Sequence, residues 1–127
     1  MLDTLANWHK IVENRDVKAL SDILDKDAVM LSPVVYTPQK GHKITQMYLT
    51  AAFHVLANDS FKYVREMADE NGVILEFETK VDGIYINGVD MISWNEQGLI
   101  TEFKVMVRPL QALIKLQEKM AEMLARL

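Results

Sequence analysis

Among the residues of this chain that could do chemistry, Asp90 has the most telling surroundings. Ile84, Ile86, Gly88, Asp90, Ile92 and Trp94 share one parity of an extended segment, so Asp90 is the one acid on a face that is otherwise apolar. A lone carboxylate is costly to bury, and such a group must be paired, hydrogen-bonded or protonated. Asp90 is thus either a ligand-contacting anchor and proton donor, or a structural latch bonded to Trp8, Tyr63, Lys104 or Arg65. His54 falls at the edge of the apolar stripe of a long helix. There an imidazole would be the best available general base at neutral pH; the plainer reading is a surface histidine. Tyr48 and Tyr63 offer hydroxyls either to a ligand or to neighbouring backbone.

Other chemistries find no footing in the residues. His9, His42 and His54 have no ligand spacing among themselves, so no metal site is expected. The chain has no cysteine, which removes disulfides, thiol nucleophiles and Cys-ligated metals together. It also lacks a Gly-rich phosphate loop, a G-x-S-x-G elbow and suitably spaced carboxylate pairs, and no cofactor is expected. With 127 residues, half hydrophobic and a quarter charged, residues 1–127 fit one globular domain. A net charge of -4 without clustered Lys or Arg argues against a nucleic-acid partner. No apolar run approaches the roughly 18 residues of a membrane span. The start MLDTLANWHK lacks the basic-then-apolar layout of a signal peptide, so a cytoplasmic location is expected, with no membrane partner.

The elements that must position Asp90 follow from periodicity. Asp3 or Thr4 can cap a first helix with Leu5, Trp8, Ile11 and Val12 on one side, ending near Asn14. Asp16 can cap a second with Val17, Leu20, Ile23 and Leu24, closed by residues 25–27. Residues 28–32 alternate as a strand up to Pro33, and residues 34–36 form a possible second short strand before Pro38. After Gly41 the period becomes helical, with Ile44, Met47, Tyr48, Ala51, Ala52, Val55 and Leu56 in one stripe; Phe53 lies opposite, so this helix should be covered on more than one side. Residues 61–68 return to extended structure, and residues 73–108 read as three consecutive strands of a meander, the last marked by Phe103, Val105 and Val107 on one parity. After Pro109 a last helix carries Leu113, Leu116, Met120, Met123 and Leu127 at three-and-four spacing.

Turn chemistry suggests registers. A three-residue loop Glu70, Asn71, Gly72 would set Tyr63 opposite Thr79 and Met67 opposite Leu75, and would put Arg65 on the apolar face in need of an anionic partner. A four-residue loop over residues 95–98 would set Asp90 opposite Phe103 and Ile92 opposite Thr101.

This order, together with ENRDVKALSDIL and DAVMLSPV near the start and GVDMISWNEQGLITEFKVMV near the end, resembles the nuclear transport factor two-like superfamily. That superfamily includes ketosteroid isomerase and the SnoaL-like polyketide cyclases. The segments SPVVYTPQKGH and VRPL look more like an uncharacterised bacterial branch of the SnoaL-like group. The resemblance implies an α+β fold in which a curved antiparallel sheet forms a cone around a long helix, with an extra C-terminal helix, an apolar cavity and commonly a homodimer. It also implies roles. Asp90, in VDMISW, matches the isomerase's protonated oxyanion-hole Asp; Trp8 falls where that enzyme has its oxyanion-hole Tyr, and Ser32, in LSPV, where it has its Asp general base. Indole donates one N–H but is no acid, and a serine cannot take a proton from carbon unaided, so steroid isomerisation is not expected.

The expectation is a small cavity protein that binds an apolar or aromatic molecule, with isomerase-, cyclase- or dehydratase-type chemistry as its possible reaction. Asp90 would anchor the ligand and Trp8 and Ser32 would orient it. Met30, Tyr48 and Tyr63, with Phe77, Ile92, Trp94, Phe103 and Val105, would form the wall. The alternative is a non-catalytic homodimeric interaction module whose pocket is filled.

Overall fold

The computed structural model describes residues 3–127. In order these form α1 (Thr4–Asn14), a 3₁₀ turn (Val17–Ala19), α2 (Leu20–Ile23), β1 (Leu24–Leu31), β2 (Gln39–Lys40) and α3 (His42–Leu56). There follow β3 (Lys62–Ala68), β4 (Gly72–Val81), β5 (Ile84–Trp94), β6 (Ile100–Arg108) and α4 (Leu110–Leu124). The strands make one curved six-stranded sheet in the order β2-β1-β6-β5-β4-β3. Its pairs are antiparallel except β1 with β6, which run parallel and make the sheet mixed. This is the α+β cone expected from the sequence. The inner parity of β4, with Val73, Leu75, Phe77, Thr79 and Val81, is buried, and the helices pack against that side. Among the described residues no helix is long and apolar enough to cross a membrane.

Local rules explain most of the helices. Asp3 caps α1 by accepting the Ala6 amide at 3.1 Å, and Arg15 ends it in the left-handed conformation with φ 51°. Asp16 precedes the 3₁₀ turn but makes no side-chain cap bond. The second helix was expected to run to residues 25–27, yet the chain is already extended at Leu24. Parallel pairing of Leu24 with Ile100 captures it there, and an irregularity between Leu24 and Val29 carries the acidic segment past the edge of the core. Tertiary pairing overrides local propensity. Residues 34–36 form no strand: the Ser32 hydroxyl oxygen accepts the Val34 amide at 3.2 Å and bends the chain, Tyr36 stands wholly exposed, and Gln39–Lys40 pairs with β1 instead.

In α3 the buried set includes Thr45 and Leu49, while Met47 is exposed. Thr45 escapes a hydrophobic pattern because its hydroxyl is satisfied in the core, donating to the Ala28 carbonyl at 3.0 Å. α4 buries Ala112, Leu116 and Met120, whereas Leu127 lies beyond the helix end and is exposed.

Both hairpin registers differ from expectation. The Asp69 amide bonds the Gly72 carbonyl, and its side chain accepts the Asn71 and Gly72 amides at 2.8 and 3.0 Å, leaving only Glu70 and Asn71 in the loop. Ala68 therefore faces Val73 and Met67 faces Ile74, and Met67 points outward. A bulge between Tyr63 and Arg65 then reverses the parity, which returns Tyr63 to the inner face opposite Phe77. Arg65 goes to the outer face, its Nε 3.2 Å from Glu76 Oε1, and not to the apolar side. At the second hairpin, Asn95 accepts the Gln97 and Leu99 amides and a bulge follows, so Asp90 pairs with Val105 and Ile92 with Phe103. The displacement from expectation is two residues, which preserves parity, so Phe103 and Val105 still face inward.

Gly88 is a position at which the sheet admits no side chain. A Cβ there would stand 2.5 Å from the Phe77 ring and 2.6 Å from the Met106 carbonyl oxygen, so Phe77 can lie flat across β5 only because Gly88 is bare. Gly88→Ala is expected to lower unfolding free energy by about 1–3 kcal/mol through overpacking, measured by urea denaturation; unchanged stability would show that the Phe77 wall is not fixed by this contact.

Candidate functional site

Asp90 stands in the middle of β5 with apolar cross-strand neighbours on both sides, Leu75 and Val105. It is 7% exposed. Its Oδ2 accepts the Tyr63 hydroxyl at 2.6 Å, and the Tyr63 oxygen in turn accepts the Trp8 indole N–H at 3.0 Å. The direction of this chain follows from the donor inventory. An indole N–H can only donate, so it takes a lone pair of Tyr63, and the single phenolic proton is left for Asp90. The other Asp90 oxygen takes no hydrogen bond from the described residues, and the side chain forms part of a cavity wall. The latch and the cavity residue, posed as alternatives in the sequence, are combined: Tyr63 holds one oxygen and leaves the other free.

Burial pushes the Asp90 carboxyl up to about 7, with the Tyr63 hydrogen bond pulling the other way. Tyr63 is itself raised well above the ordinary phenol range, first by burial and then by the Asp90 charge. Near neutrality Asp90 therefore exchanges between an acid that can donate to a carbonyl oxygen or oxyanion and a carboxylate that can accept. His9 Nε2 lies 2.6 Å from Glu66 Oε1, and the His9 ring stands edge-on to Tyr63 at 5.7 Å. Neither reaches the cavity wall.

The cavity has a volume of ≈ 50 Å³. Among the described residues, Asp90 and Tyr63 are the titratable side chains that line it. A metal would find a single carboxylate there, too few ligands for a protein-held ion. Trp8, Met30, Ser32 and Tyr63 line it, as do Phe77, Phe103 and Val105. Trp8 sits differently from its expected role: its N–H is spent on Tyr63, so it reaches a ligand by its ring and acts on Asp90 through Tyr63. Ser32 uses its oxygen as acceptor for the Val34 amide, keeping its own proton available.

Four expected residues lie elsewhere. The cavity face of α3 is Leu49, Ala52, Phe53 and Leu56, and helical geometry puts His54 roughly 150° around from its centre. His54 is accordingly exposed, too far round to serve as a base. Tyr48 is half-buried on the flank of the same helix, Ile92 is buried in the core farther along β5, and the Trp94 indole donates to the Glu70 carbonyl at 2.9 Å at the end of the sheet. Residues that had not been singled out for the wall include Phe53, Phe61, Leu116 and Met120. Phe53 was visible as an aromatic opposite the main stripe; nothing local to α4 says that its apolar side closes a cavity rather than a core.

No protein-family model and no curated protein sequence matches the chain. Solved structures do. The crystal structure of a steroid delta-isomerase from Pseudomonas aeruginosa is 38% identical, with a TM-score of 0.92 over 97% of this chain and 90% of that one. An uncharacterised protein conserved in bacteria, with a cystatin-like fold, from Silicibacter pomeroyi is 30% identical, with a TM-score of 0.87 over 96% and 85%. A nuclear transport factor two-like protein of unknown function from Burkholderia xenovorans shares the fold at 18% identity, with a TM-score of 0.66 over 86% and 87%.

The raised Asp90 carboxyl has a consequence for stability. An unfolded Asp titrates near 3.9, so between there and about 7 the native state holds a proton that the unfolded state has released. Stability therefore falls as pH rises through that window, by about 4 kcal/mol at most, and above it Asp90 causes no further change. In Asp90→Asn this contribution vanishes: the wild-type-minus-variant difference in unfolding free energy should decline from pH 4 to pH 8, and parallel curves would show that Asp90 ionises freely.

Proposed function

The chain belongs to the nuclear transport factor two-like, SnoaL-like superfamily, and from that premise we propose that it binds a small apolar or aromatic molecule, holding an oxygen of that molecule with the Asp90 carboxyl. One observation carries this reading: a buried acid, fixed at one oxygen by Tyr63, with the other oxygen free on the wall of a cavity that is otherwise apolar. Binding sites gain orientation in this way, from few polar groups set in apolar walls. Tyr63 and Trp8 position the acid, and the Ser32 hydroxyl supplies a second donor. The chemistry such a site can support is general-acid catalysis of the isomerase, cyclase or dehydratase kind, with Asp90 giving a proton to the ligand oxygen.

The Pseudomonas protein's name does not transfer with its fold. At Ser32, where the isomerase resemblance places a carboxylate base, this chain has a hydroxyl that cannot take a proton from carbon, and among the described residues the wall holds no second carboxylate. Any turnover rests on Asp90 both giving and recovering the proton; without a carbon base the site favours ligands that are held and polarised.

The outer face of the sheet supports a homodimer. Met67, Ile74, Val89, Met91 and Met106 gather at its centre, and Arg65, Glu76, Glu78, Lys104 and Arg108 rim them. An apolar core with a charged rim is the usual anatomy of a protein interface. The non-catalytic interaction module draws on this same patch.

Two experiments follow. Calorimetric titration of cyclic ketones and phenols should give affinity that declines above pH 7 in the wild type, does not vary with pH in Asp90→Asn, whose amide still donates, and drops about tenfold or more in Asp90→Leu; equal affinity of wild type and Asp90→Leu for every ligand would remove Asp90 from the site. Met106→Lys, placing a charge at the centre of the outer face, should convert dimer to monomer in sedimentation velocity; a variant that sediments as the wild type does would move the interface elsewhere.

A further inference from the structure

We infer that small molecules reach the Asp90 cavity through the gap between the end of α1 and the α3–β3 turn, and that the Phe61 ring is the gate in that gap. The inference rests on the reading that this cavity takes up a ligand, and it adds the way in.

A second hollow, of ≈ 380 Å³, lies against the same gap on the outside of the molecule, with His9, Glu13, Arg15, Asp59 and Lys62 on its polar border. Val12, Ala57, Phe61 and Tyr63 line both this hollow and the Asp90 cavity. Side chains that line two spaces are what divides them, so a single layer separates the cavity from the outer hollow here. All four are half-buried, whereas Trp8, Leu49 and Phe77 of the cavity wall are buried.

The chain lays out two banks. On one, Trp8 and Val12 stand a helical turn apart on the same side of α1, and Arg15 caps its end. On the other, Leu56 and Ala57 leave α3, Asp59 sits in the turn, and Phe61 leads into β3. Arg15 Nη2 meets Asp59 Oδ1 at 2.9 Å across the gap. Both side chains are exposed, and such a pair is weak and screened by salt, so it draws the banks together without sealing them.

The backbone of each bank is held. The Arg15 and Asp16 amides close α1 on the Val12 and Ile11 carbonyls at 3.3 and 3.0 Å. The Asn58 side chain donates to the Lys80 carbonyl at 2.8 Å, and the Lys80 amide donates to the Ser60 hydroxyl oxygen at 3.0 Å, which ties the turn to β4. Opening therefore falls to side chains. Ala57 has only a methyl group, Val12 is stiff at its branched β-carbon, and Tyr63 is fixed by Trp8 and Asp90. Phe61 is held by ring contacts alone, stacked on Phe77 at 5.3 Å and edge-on to Tyr63 at 5.1 Å. Such contacts are weak, and a change of rotamer carries the ring into the outer hollow. Ser32, Pro33, Ala52 and Phe53 are half-buried elsewhere on the lining, but Phe53 is packed edge-on to Trp8 at 5.5 Å.

The chain has no cysteine, so one introduced thiol can report access. Met30→Cys places it on the cavity wall, and Ile86→Cys places it in the buried sheet away from that wall, where it reports unfolding. Each is treated in the full chain with methyl methanethiosulfonate at fixed pH and followed by mass spectrometry, the first rate being taken relative to the second in the same background. Met30→Cys should react faster than Ile86→Cys. Adding Phe61→Leu should raise the relative rate about twofold or more, the least that losing an aromatic pair is worth; Val12→Trp, which narrows the gap from the other bank, should lower it, and Phe53→Leu should leave it unchanged. A relative rate raised by Phe53→Leu and not by Phe61→Leu would put the entrance on the Ser32 side and overturn the route. A Met30→Cys rate that tracks Ile86→Cys in every variant would mean access by unfolding only and overturn the gate. The labelling needs no ligand, so a failed route leaves the calorimetric result for Asp90 as measured, and failed ligand binding leaves the labelling result as measured.

Discussion

Everything distinctive about this molecule depends on one hydrogen-bonded chain: Trp8 to Tyr63 to Asp90. A carboxyl with Leu75 and Val105 beside it on the sheet has no cation to offset its charge, and it is tolerated because it can remain protonated at little cost near neutral pH. Tyr63 alone would leave the arrangement ambiguous, since a phenol can donate or accept. The indole resolves it, because N–H can only give. A side chain on α1 thereby decides which way a proton points on β5.

The fold is arranged to bring those three residues together. Asp3 starts α1 where Trp8 falls on its buried side. The bulge beside Val64 turns Tyr63 inward after the tight Asp69–Gly72 turn has set the opposite parity for the residues beyond it, so Arg65 meets Glu76 outside and stays off the inner face. A sheet with the same strands but no bulge would carry Val64 at the Tyr63 position and leave Asp90 without its partner. The bulge belongs to the site as much as to the sheet.

The sequence made much of this legible. Alternation placed Asp90 on the apolar face, and a two-residue error in the β5–β6 register did no harm because it preserved parity. The one-residue difference at the β3–β4 turn was another matter. The expected three-residue loop puts Arg65 inside with Tyr63; the tight turn sends Arg65 out, and only the bulge, which no local residue pattern announced, keeps Tyr63 in. On the strands, period two sets which residues face inward but not how far along: Phe77, Phe103 and Val105 line the cavity, whereas Ile92 and Trp94 share the parity of Asp90 and lie beyond it. Phe53 and Met120 are apolar residues on helix faces that core packing would explain equally, and His54 sits one flank away from a stripe whose centre the buried Thr45 and Leu49 displace. Which apolar face surrounds a space and which surrounds other side chains is decided by curvature of the sheet, a property of the whole chain.

The central claim is that Asp90 is a largely neutral acid at the cavity until the pH approaches 7. It is tested most directly by following its side-chain carboxyl carbon by NMR in ¹³C-labelled protein across the pH range from 3 to 9, assigned by comparison with Asp90→Asn. A single titration centred at about 7 is expected; a midpoint close to the 3.9 of a solvated aspartate would contradict it.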